Sequence, residues 1–220
     1  MTLDKKEPLK LYLFYFALII IANITNTISI TFVDGKVAFI ISIIWMIITI
    51  IFYFIIKKNN KGLIVYSFLN AVVSGIAMSA YYSIKSVLPF NSLFFLIVFG
   101  FCMFLNYTII NKTQNNELFI RINIITIILI LIISNYIWIT SSPTVGSGMV
   151  FFCIVYLCFN IALLRANNKD TNYTKIVGYA SLIMFGGILL AVIVVLSEGD
   201  GMEIIDGDWR GKSKKKKIEQ

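Results

Sequence analysis

The chain has 220 residues, 59% of them hydrophobic and 14% charged, with a formal net charge of +8. A soluble domain carries about 25% charged residues, so this composition cannot cover a water-facing surface and excludes a sizeable soluble domain. Histidine is absent, which excludes His-based acid–base catalysis and His metal ligation within the chain.

A bilayer core about 30 Å thick is crossed by about 20 apolar residues in a helix. Seven such stretches follow one another. Residues 1–10 are a short polar lead with Lys5, Lys6 and Lys10. Span one covers residues 11–33. It follows a basic start, as a signal peptide does, but it is too long for an h-region and no small-residue cleavage site follows, so it is read as retained. Span two, residues 37–56, lies between Asp34-Gly35-Lys36 and the polar run 57–62. Span three covers 63–84, and Pro89 lies in the link to span four, 93–110. Residues 111–118 read as a polar connector, and Arg121 marks the mouth of span five, 122–140. Ser141-Ser142-Pro143-Thr144 and Gly146-Ser147-Gly148 read as a flexible turn. Span six, 149–164, is then short unless it borrows from that turn. A polar loop, 165–175, leads to span seven, 176–197, and a soluble tail, 198–220, is acidic and then basic. The tail is expected to be disordered.

These stretches are long, closely linked and without apolar/polar alternation, so they predict helices and not barrel strands. The expected fold is an all-α, single-domain transmembrane bundle of about seven spans. Pro8, Pro89 and Pro143 all fall outside the predicted spans, so nothing points to the broken helices that some transporters use.

Lysine and arginine favour the cytoplasmic side of short loops. With seven spans, one side collects eleven of them and the other, tail apart, only Lys36 and Lys85. This predicts a plasma-membrane protein with a cytoplasmic N-terminus. An odd span number places the tail outside, although it carries Arg210, Lys212 and Lys214 to Lys217. One re-entrant segment, with short span six the first suspect, would bring the tail inside.

The polar residues within the spans are neutral. Asn23, Asn26, Asn70, Ser74, Asn106, Asn135 and Asn160 are candidate intramembrane contacts. Such groups commonly bond across to a neighbouring helix, and the sharper alternative is a polar path for a solute. Ala71, Gly75 and Ser79 recur every four residues, and Gly187 and Ala191 repeat the pattern in span seven. Small residues at this spacing let another backbone approach, so span three belongs in mid-bundle or at a subunit contact. Tyr12, Tyr15, Tyr53, Tyr81, Tyr82, Tyr107, Tyr136, Trp138 and Tyr179 fall near span ends and read as an aromatic belt, while Trp45 is expected to pack within the bundle. Cys102, Cys153 and Cys158 read as apolar filler.

No acidic or basic residue lies in the middle of a span. Ion-coupled pumps, proton relays and voltage sensors need such charges. In the tail, Asp206 and Asp208 begin a sequence like a calcium loop, but Arg210 and Lys217 occupy two positions that must supply oxygen ligands. Neither a metal nor a cofactor is expected. Trp209 with Lys214, Lys215, Lys216 and Lys217 forms a candidate contact for anionic lipid headgroups. The expected partners are the lipid bilayer and a membrane protein or a second copy, with no nucleic acid. The expected role is non-enzymatic: an accessory, immunity or sensor component acting through a protein partner. The alternative is a transporter or channel for a small neutral or lipidic solute.

Overall fold

A computed structural model describes residues 6–86, 92–113, 115–140, 143–167 and 173–197. Among the described residues the fold is all α-helical: α1 (Lys6–Phe32), α2 (Gly35–Ile56), α3 (Asn60–Ile84), α4 (Ser92–Thr113), α5 (Asn116–Thr140), α6 (Pro143–Asn167) and α7 (Tyr173–Ser197). Six of them are long and apolar enough to cross a membrane, and in α4 the apolar helix is the shorter piece Leu96–Lys112. The chain is therefore a membrane-embedded helical protein.

The helices extend further than hydropathy alone indicates, because polar residues cap them. Asp34 accepts hydrogen bonds from the amides of Lys36 at 2.9 Å and Val37 at 3.3 Å. That starts α2 at Gly35. Asn59 does the same for Lys61 and Gly62, at 3.1 and 3.2 Å, and so takes both residues into α3. Asn115 accepts from Leu118 at 3.1 Å, so most of the expected 111–118 connector is helix. Side-chain acceptors of this kind satisfy the free amides of a first turn.

One expectation needs correction. The flexible turn before span six is mostly helix, since α6 begins at Pro143, so span six borrows from it. Pro8 and Pro143 lie outside the apolar spans Leu9–Phe32 and Gly148–Arg165, as expected, but inside helices: Pro8 in the first turn of α1 and Pro143 at the start of α6. The physical reason is the same for both prolines. A first-turn residue has no intrahelical partner for its amide, so a ring lacking that N–H costs nothing there and presets the helical φ. Pro89 and the tail, including Trp209 and Lys214 to Lys217, lie outside the described residues.

Side-chain contacts fix the helix directions. Phe14 meets Phe68, and Ala22 meets Gly75 further along, so α1 and α3 run the same way. Leu63 meets Gly178 and Asn70 meets Ser181, so α7 runs with them. Gly35 meets Ser83 while Thr49 meets Tyr66, so α2 runs against α3. Phe99 meets Phe152 and Asn106 meets Asn160, which makes α4 parallel to α6. Phe16 meets Gly100 while Tyr12 meets Tyr107, so both run against α1.

Helices α1, α3, α6 and α7 form the centre. Helix α2 lies outside on α3 and α7, α4 on α1 and α6, and α5 chiefly on α6. The core is aromatic and aliphatic, with Tyr15, Phe99, Phe159 and Phe185 fully buried. Tyr15, Tyr81 and Tyr82 are buried in it and leave the expected belt. Tyr15 donates to the Val155 carbonyl at 3.4 Å, which replaces the water its hydroxyl would otherwise need. Tyr136 remains 68% exposed.

Candidate functional site

Many serine and threonine hydroxyls inside these helices solve their bonding locally. Thr25, Ser42, Ser67 and Thr126 each donate to the carbonyl one turn back, at 2.8 to 2.9 Å. An amide has two donors and a two-lone-pair acceptor, more than one carbonyl can satisfy. An asparagine can therefore bond to a second helix as well, and Asn70 and the pair Asn106 and Asn160 organise two polar clusters.

The larger cluster joins α2, α3 and α7 around Asn70. The Asn70 Oδ1 accepts from Trp45 Nε1 at 2.9 Å and from the Thr49 hydroxyl at 2.8 Å. Its Nδ2 lies 3.4 Å from the Ser181 hydroxyl, which in turn lies 3.3 Å from that of Ser67 and 2.9 Å from the Gly178 carbonyl. Tyr66 donates to the Thr49 carbonyl at 3.1 Å, with its hydroxyl 2.9 Å from that of Thr49. The Thr49 proton can serve only one of its two neighbouring oxygens, and Asn70 is the stronger acceptor. Thr49, Tyr66, Ser67, Asn70, Ser74 and Ser181 are all fully buried. Ser74 caps the cluster by donating to the Asn70 carbonyl at 2.7 Å.

One end of this cluster approaches the helix termini. Tyr53 stacks obliquely on Tyr66 with ring centroids 5.9 Å apart. The Arg165 guanidinium sits 4.2 Å from the centre of the Tyr179 ring, a cation–π contact between α6 and α7.

The smaller cluster links α4 and α6. Asn106 Nδ2 donates to Asn160 Oδ1 at 3.0 Å, and Tyr156 and Thr126 stand beside them. Among the described residues, three buried amide atoms meet no partner: Asn26 Oδ1, Asn123 Oδ1 and Asn160 Nδ2. Asn123 spends its Nδ2 on the Phe119 carbonyl at 2.8 Å. Asn23 is buried and lines a cavity of about 20 Å³ together with Ile19, Met78, Phe151, Val155 and Met184. Asn135 differs from every other candidate. It is exposed, and its Nδ2 turns back to the Leu131 carbonyl of its own helix at 3.0 Å, so among the described residues it makes no hydrogen bond to another helix.

The small-residue stripe of α3 faces the α1 backbone. A Cβ on Gly75 would strike the Ala22 carbonyl oxygen and lie 2.8 Å from Thr25 Cβ and 2.9 Å from the Asn26 amide nitrogen. Ala71 and Ser79 are fully buried on the same face. Gly187 gives way to Ile154 of α6, whose Cγ2 would lie 2.7 Å from an added Cβ, and Ala191 packs half-buried against the core.

Sequence reasoning missed Thr49, Tyr66, Ser67, Ser181 and Asn123. The signal was present for the first two pairs of a face: Trp45 and Thr49 are four apart, as are Tyr66 and Asn70, and residues so spaced share one side of a helix. Comparison with protein-family models, curated proteins and solved structures found no match to this chain.

Proposed function

We propose that this chain is a non-enzymatic, seven-span component of the plasma membrane that works by binding a protein partner, as an accessory, immunity or sensor subunit does. One observation carries the reading. Asn70 is fully buried, and its oxygen and nitrogen are both engaged by Trp45, Thr49 and Ser181. An amide engaged in this way ties α2, α3 and α7 together and has no acceptor left for a passing solute. The bundle is then a rigid platform whose work is done on its surfaces. Seven crossings are supported by the shared direction of α1, α3 and α7 against that of α2, α4 and α6 and by the 22 residues of α4, about 33 Å of helix. The excess of lysine and arginine at the ends that would share a side with residues 1–10 supports a cytoplasmic N-terminus.

The test is purification from native membranes in mild detergent, full-length protein beside a chain ending at Ser197. A stoichiometric protein partner is expected, and its loss on truncation would place the contact in the tail. Recovery of this chain alone in both samples would overturn the reading.

A second reading, passage of a small neutral or lipidic solute, is favoured by the three unpaired amide atoms. The cavity beside Asn23, about 20 Å³, has room for one water. Flux in liposomes that is abolished by Asn70→Leu would promote it over the first.

A further inference from the structure

Helix α5 is exposed over most of its length and packs chiefly on α6. Its buried side is marked by Phe119 and Asn123. Asn135 follows Phe119 by sixteen residues, which turns it about 160° round the helix, away from the bundle. It lies fourteen residues beyond Arg121, about 21 Å along the axis, and so inside a hydrocarbon layer about 30 Å thick. Among the described residues its carbonyl oxygen meets no donor. An amide there is costly unless another helix satisfies it.

The residues aligned with Asn135 on this outer face are Ile125, Ile128, Ile132 and Ile139, exposed by 59, 50, 60 and 83%. With Arg121 and Asn135 they step by four and three residues in alternation, the spacing of a two-helix seam. A single asparagine in such a seam sets register and oligomeric state. An amide is also its own complement, because it both donates and accepts. Two copies of this chain in one membrane share an orientation, so a two-fold axis along the membrane normal lays α5 parallel to its copy and brings Asn135 against Asn135.

We propose that the outer face of α5 is a homodimer interface, with a second copy of this chain as its occupant and the Asn135 amide pair at its centre. It is independent of which protein partner the platform binds elsewhere. The test uses purified full-length protein in liposomes, labelled for energy transfer between copies and diluted in lipid. Wild type is expected to dimerise. Asn135→Leu should weaken the dimer about 5- to 30-fold. Asn135→Gln, which keeps the amide, should retain most of it, and Tyr136→Leu on the flank should change little. Ile132→Cys should cross-link between copies while Ile133→Cys should not. A monomeric wild type at every dilution overturns the proposal, as does a dimer indifferent to Asn135→Leu. Wild type found on a different protein in native membranes, released by Asn135→Leu, would assign the face to that protein and equally overturn it.

Discussion

Helices α3 and α5 have the same length, 25 residues, yet occupy opposite places in the bundle. The mean hydropathy of the spanning window is 1.8 in α3 and 2.2 in α5. The less apolar helix is the central one. In water the order would be reversed, because burial there follows hydrophobicity. In lipid the tails are as apolar as the side chains, so hydrophobicity does not choose the centre. Small residues and bonded amides do, since they allow backbones to approach and leave no polar group in hydrocarbon. Helix α3 has Gly75 against α1 and Asn70 bonded to α2 and α7. Helix α5 has branched isoleucines on its outer face and one buried amide, Asn123, bonded to its own backbone.

The sharpest way to break this comparison is to add atoms at the crossing of α1 and α3. Gly75→Ala places a methyl against the Ala22 carbonyl, backbone that cannot rotate away. It should destabilise the fold by about 1–3 kcal/mol, the usual cost of overpacking, read as a lower unfolding temperature in detergent. Gly75→Leu should prevent recovery of folded protein. Asn70→Leu comes next. It strands the Trp45 N–H and removes one partner each from the Thr49 and Ser181 hydroxyls, which keep Tyr66 and the Gly178 carbonyl, and should cost about 1–2 kcal/mol. The pair Asn106 and Asn160 should show a smaller coupling, about 0.6 kcal/mol in a double-mutant cycle, because the Asn160 Nδ2 is already without a partner. Least of all, Ile124→Leu on the lipid side of α5 should stay within about 0.5 kcal/mol of wild type.

The helical class and the order of the helices were legible in the sequence, because lipid forces every long apolar run to satisfy its backbone within itself. Helix ends were less legible. Asp34, Asn59 and Asn115 look like loop residues by hydropathy and act as caps. The small stripe of α3 could be read from spacing alone, but its neighbour could not, since α1, α2 and α7 all touch that helix. The tyrosines were misleading for a related reason. Tyr81 and Tyr136 both sit near helix ends, and only the packing shows that one is 1% and the other 68% exposed. Asn70 and Asn135 are likewise one residue type in one kind of surroundings. What separates them is which helices stand opposite, and that is long-range information.

The same substitution at these two asparagines tests the central claim most directly. Asn70→Leu and Asn135→Leu should be unfolded side by side in detergent, at dilutions where each is monomeric. The expected result is a clear loss of stability for Asn70→Leu and none for Asn135→Leu. Equal stabilities would contradict the claim that bonded amides and small residues, and not hydropathy, decide which helices hold the centre.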